Sequence, residues 1–302
     1  MVFFPGTTIG SCLNPSADSR GGTVECSPRQ RPVESRSLSE TSVVPISSAM
    51  STVEMEPISL ASLTSEVAIP APLYLRIDCD SVLCRKTGES LDGDLRRQLF
   101  EAGQDLVWIR RSDRHFYHQY LRSEVLKRYH GVEGTGPIES FSTTTLESLP
   151  QWMEAVEAVQ IDRPEAYGRS WRIAHYGIQL ATGLGVATES FLRPLICGLL
   201  LHEVSQVDGQ DLNLLKLEEN AVSIIDGWRE RIDGNGALGW NSKRLTIPLR
   251  IAAVAIAFDH RTSGDGGRPR QPAFDVLREF IISEHGALDP TIIAAFIRIL
   301  DH

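Results

Sequence analysis

Leu245-Thr246-Ile247-Pro248-Leu249-Arg250-Ile251-Ala252-Ala253-Val254-Ala255-Ile256-Ala257-Phe258 decides the fold. From Ile251 to Phe258 it is apolar on every side, so it predicts a helix buried all round at the centre of a bundle. A second such run, Phe191–Val204, predicts another interior helix. Ile173, Gly177, Leu180 and Leu184 follow the 4, 3, 4 spacing of one helix face. Leu212–Arg231 reads as amphipathic, and Ala273–Glu284 and Pro290–Leu300 as two closing helices. Asp289 fits an N-cap, with Pro290 at the first helical position. No strand pattern interrupts 151–302, so an all-α bundle is expected there.

Towards the N-terminus the periodicity changes. Leu73–Ile77 alternates, and Val82-Leu83-Cys84 follows the acidic turn Asp78–Asp80, which predicts a hairpin. Ser90–Gly103 reads as a helix capped by Ser90, with Leu91, Leu95 and Leu99 four apart. Leu106–Ile109 is a third strand and Ser112–Arg122 a last helix. Residues 71–122 are therefore read as a small α/β domain, 123–150 as a linker and 151–302 as the helical domain. Residues 1–70 hold 14 Ser, 6 Thr and 7 Pro but only two aromatics, Phe3 and Phe4. That composition buries too little to offset ordering, so disorder is expected there. Translation starting at Met50 or Met55 is an alternative account of the segment.

Composition narrows the function. Thirty basic against 39 acidic residues give −9, which argues against DNA or RNA as a partner. No apolar run reaches the roughly 18 residues of a membrane span. Cys12, Cys26, Cys79, Cys84 and Cys197 form no CxxC pair and read as reduced thiols of a cytoplasmic protein. His115 and His118, three apart, have no evident third ligand and read as polar-face residues beside Arg110, Arg111 and Arg114.

Three places look like chemistry: His175, His202-Glu203 at the end of an apolar helix, and Trp228–Leu238 followed by the central helix and Asp259. Their order resembles the HD-GYP domains, metal-dependent HD phosphohydrolases that hydrolyse cyclic di-GMP. The resemblance covers about residues 165–301 and is best over Glu230–Gly236, Ile247–Asp259 and Gly286–Phe296. Residues 71–122 also resemble, by pattern alone, the small domain that often precedes such modules.

The resemblance makes His175 and His202 metal ligands and puts Glu203 where the family has the Asp of its His-Asp pair. It puts Ser205 and Gln206 at the following Gly and Lys, and Trp228 and Arg229 at the loop's paired histidines. Of that loop only Glu230, Asp233, Gly234 and Gly236 match, with Ala237-Leu238 in place of Tyr-Pro. Ile256 falls at the later metal-binding Asp, and Asp259 lies three residues on. Only 29 residues separate Glu203 from Asp233, so the segment supplying an intermediate His looks deleted.

A two-metal centre needs more donors than His175, His202 and Glu203 supply, and an arginine beside them repels a cation. Asp233–Gly236 is equally the composition of a tight turn. Arg229, Arg231, Lys243 and Arg244 read as a solvated rim of charge, with phosphate contact as the other reading. The expectation is a mainly α chain: an all-helical HD-type bundle, preceded by the α/β unit and the disordered segment. It would be a degenerate HD-GYP signalling protein without a cofactor, binding a protein partner or cyclic di-GMP. The alternative is a phosphodiesterase with a reduced site holding one divalent ion, Fe or Mn.

Overall fold

In a computed structural model of the chain, the structure describes residues 53–77, 80–130, 151–204, 212, 215–264, 269–284 and 286–301. Residues 51–302 form one compact unit. Its elements, in chain order, are β1 (Met55–Ser59), β2 (Leu73–Ile77), β3 (Asp80–Arg85), α1 (Gly93–Glu101), β4 (Leu106–Arg110), α2 (Arg114–Tyr129) and α3 (Gln151–Asp162). Then come α4 (Pro164–Gly183), α5 (Glu189–Leu201), α6 (Glu219–Gly227), α7 (Ile247–Ser263), α8 (Ala273–Ile282) and α9 (Pro290–Asp301). The fold is mainly helical with one small antiparallel sheet, strand order β1-β4-β2-β3.

The central helix is α7. Ile251 to Ile256 are all buried, and Phe258 packs with Phe296 of α9 at 4.5 Å and Tyr176 of α4 at 5.4 Å between ring centroids. Helix α4 carries Pro164 at its start, where the missing N–H leaves no bond unmade. Asp289 caps α9, its carboxylate accepting from the Thr291 N–H at 2.9 Å. A single apolar core runs from Ile58 near the sheet to Leu300 in α9.

Four boundaries need correction. Within 1–70, expected to be disordered, residues 55–70 are ordered. β1 pairs with β4 from Met55↔Arg110 to Ser59↔Leu106, and Leu60, Ala61, Leu63 and Ile69 are buried. The Ser and Pro content of the whole segment masks this short apolar run, which a free edge of β4 recruits. Residues 1–52 lie outside the described residues.

Helix α1 is capped by Asp92, whose Oδ1 accepts from the Leu95 N–H at 2.7 Å, and not by Ser90, which bridges to Ala68. Helix α2 continues past Arg122 to Tyr129, because Val125 and Leu126 extend its buried face. The expected linker therefore loses its first residues, and 131–150 lie outside the described ones. Among the described residues of the expected helix Leu212–Arg231, α6 is the one α-helix. Beyond it the Glu230 N–H bonds back to the Gly227 carbonyl in a turn. Among the described residues, no helix is long and apolar enough to cross a membrane.

Candidate metal centre

The three metal ligands expected from sequence do not meet. His202 and Glu203, just past the end of α5, converge with His260 of α7 instead. Among the described residues this is the one group of three such donors, with ligand atoms within 4.8 Å of one another. Glu203 Oε1 lies 3.8 Å from His202 Nε2 and 3.7 Å from His260 Nε2. His202 is fully buried, and its Nδ1–H donates to the Leu199 carbonyl at 2.5 Å. That bond fixes the tautomer and leaves the Nε2 lone pair facing the carboxylate, the orientation a metal ligand needs. Burial holds the His202 imidazole down near pKa 4, against the pull of Glu203.

The same carboxylate oxygen is already engaged. Arg169 of α4 places its Nε 2.9 Å from Glu203 Oε1, and Arg163 Nη2 lies 3.9 Å from Oε2. Burial pushes the Glu203 carboxyl up, but His260 and Arg169 outweigh it and hold it below the usual range. The donor types suit one divalent ion, since two imidazoles and a carboxylate are a common set. They fall short of two, and an arginine competes for the oxygen.

Trp228 stands edge-on to both imidazoles, at 5.9 Å from His202 and 5.7 Å from His260. Arg229 is not beside the donors as expected. It is exposed, with its guanidinium 4.4 Å over the Trp228 ring. The cation that touches the carboxylate is Arg169, which the sequence did not mark.

No family model matches this chain, and no curated protein matches it. Among solved structures it is similar to "Bd1817, a HDG"Y"P protein from Bdellovibrio bacteriovorus", at 17% identity and a TM-score of 0.39, over 82% of this chain and 100% of that one. An overlap this loose leaves the chemistry to be read from the residues themselves.

His175 sits apart, against Thr64 and Gln179. Its Nε2 accepts from the Gln179 amide at 3.0 Å and lies 3.3 Å from Thr64 Oγ1. Asp259, fully buried, is gripped by Arg172 of α4, with Nε–Oδ1 at 2.5 Å and Nη2–Oδ2 at 2.9 Å. Ile256 is core. Ser205 and Gln206 lie outside the described residues. His115 is exposed and bonds to the Ser112 carbonyl, while His118 packs against Gly168. Lys243 and Arg244 are exposed.

The loop remnant has a structural role. Glu230 is buried and accepts the Leu238 N–H at 2.6 Å and the Trp240 N–H at 2.8 Å, so the loop folds around its own carboxylate. A Cβ on Gly236 would lie 2.7 Å from that carboxylate, so a larger residue there would have to displace Glu230 from its two N–H partners. Gly234 takes a φ of +79°. Asp233 pairs with Arg231 at 2.7 Å, and that bond with the Asn235 N–H holds its carboxyl down near pKa 2. Glu230→Ala is expected to cost about 2–4 kcal/mol, since two backbone N–H groups lose the buried, charged acceptor they share. Urea denaturation followed by tryptophan fluorescence measures it, and a loss below about 1 kcal/mol contradicts this role.

His260 was legible in principle. It lies one helical turn beyond Ile256, on the same face of α7. Arg169 and Arg172, three apart on α4, carry no motif, and only the tertiary pairing reveals them.

Proposed function

We propose that this chain is a degenerate HD-GYP-type signalling protein that acts by binding, to a protein partner or to cyclic di-GMP, and does not hydrolyse phosphodiesters. The supporting observation is that Arg169 occupies Glu203 Oε1, the oxygen on which His202 and His260 converge. The neighbouring buried acid, Asp259, is likewise neutralised by Arg172. Side-chain cations thus sit where hydrolysis of this kind would want metal ions and their activated water. The order of motifs from His175 to Gly236 supplies the family comparison.

A second reading has its own observation. His202, Glu203 and His260 suit a single ion, so a mononuclear phosphohydrolase is the alternative. The purified full chain, incubated with Mn²⁺ or Fe²⁺ and desalted, separates the two by elemental analysis and a cyclic di-GMP hydrolysis assay. The expected result is less than one ion per chain and no turnover. One retained ion with turnover abolished by His202→Ala and by His260→Ala establishes the alternative. Two ions with turnover overturn the reduced site altogether.

A further inference from the structure

A cavity of about 540 Å³ lies between the segment after β1 and helices α1, α2, α4 and α9. That volume suits a small organic molecule. Three arginines line it: Arg96 of α1, Arg128 of α2 and Arg298 of α9. Among the described lining residues the one carboxylate is Glu124, which already holds Lys127 at 2.8 Å. The remaining wall is apolar or neutral, with Leu63, Ile178, Ala295 and Ile299 beside His175 and Gln179. In a chain of charge −9, this is a local concentration of positive charge.

Arg96 is the unusual member. It is 4% exposed, and only its Nη1 is used, donating to the Ile299 carbonyl at 3.2 Å. Its guanidinium lies 5.4 Å from the centre of the Phe100 ring. Nε and Nη2 are buried without a hydrogen-bond partner, and no carboxylate among the described residues is paired with them. These two atoms form one edge of the guanidinium, the edge that grips a carboxylate or phosphate through two parallel bonds. A buried cation with an empty fork is costly to maintain and is seldom left so. Gln179 Oε1, on the same wall, is also buried without a partner. Arg128 and Arg298 are exposed at the rim, where they would attract an anion.

We propose that this cavity binds an amphiphilic anion: an oxyanion head on Arg96, carboxylate or phosphate monoester, and an apolar body along Ile178, Ala295 and Ile299. The fork is closed to water in this form, so entry requires a lining side chain to shift. The site is separate from the His202, Glu203 and His260 cluster and does not depend on whether that cluster takes a metal.

Calorimetric titration of the full chain with octanoate and with octyl phosphate, in a buffer free of other oxyanions, tests this. The expected result is one saturable site for at least one of them, and the tighter of the two identifies the head group. Arg96→Met should weaken binding at least about tenfold, while the variant melts at or above the wild-type temperature because a buried uncompensated charge is gone. If that variant does not fold, Arg298→Gln at the exposed rim carries the test, with an expected loss of about threefold. Saturable binding that neither variant weakens overturns the proposal. So does the absence of saturable binding up to about 10 mM of either probe, or octan-1-ol binding as tightly as octanoate.

Discussion

Asp259→Asn is expected to destabilise the chain by about 3–5 kcal/mol, the loss typical of removing one partner from a buried ion pair. Asp259 is fully buried, and its Arg172 partner is only 17% exposed. Amidation removes the charge that compensates the guanidinium and leaves the cation between α4 and α7. Ser263, which receives the Arg172 Nη2–H at 2.8 Å, cannot replace it. The double variant Arg172→Met with Asp259→Leu should recover most of the loss, since it removes both charges and keeps the volume. Urea denaturation of the single and double variants measures both. A loss under about 1 kcal/mol for the single variant would show that the pair is solvated and adds little.

Acid should weaken the fold well above the carboxylate range. His118 and His202 are held near pKa 4 and His175 near 3, in each case by burial first, with Arg114 adding to it at His118 and Arg96 at His175. All three stay neutral in the folded chain, whereas the unfolded chain protonates them near pH 6.5. Between about pH 6 and 4 the unfolded state therefore binds more protons, and stability falls as pH falls. Each histidine contributes a slope of about 1.4 kcal/mol per pH unit, so the three together give roughly 4. The depressed carboxyls of Glu165 and Asp92 add to this only at lower pH. Glu56, whose carboxyl burial pushes up, opposes it. The check is the urea midpoint at pH 7, 6 and 5, repeated for His175→Gln, which should flatten the slope by about a third. A midpoint constant over that range would contradict it.

The helices were legible where the apolar pattern was long. The all-apolar stretch of α7 and the capped start of α9 needed no tertiary information. Residues 55–63 were not legible, because a strand that completes another strand's edge is stabilised by its partner and not by its own composition. At the site, His202-Glu203 was legible as a pair because it closes an apolar helix. His175 was read onto the right kind of helix, but periodicity gives a face and not the neighbour it meets. Arg169 and Arg172 were invisible for the same reason: nothing in an isolated arginine tells which acid it will neutralise.

The Arg172–Asp259 fork has one more consequence. A countercharge built into the polypeptide cannot be dialysed away, chelated or starved out of a cell. The seam it closes between α4 and α7 is therefore as durable as the chain.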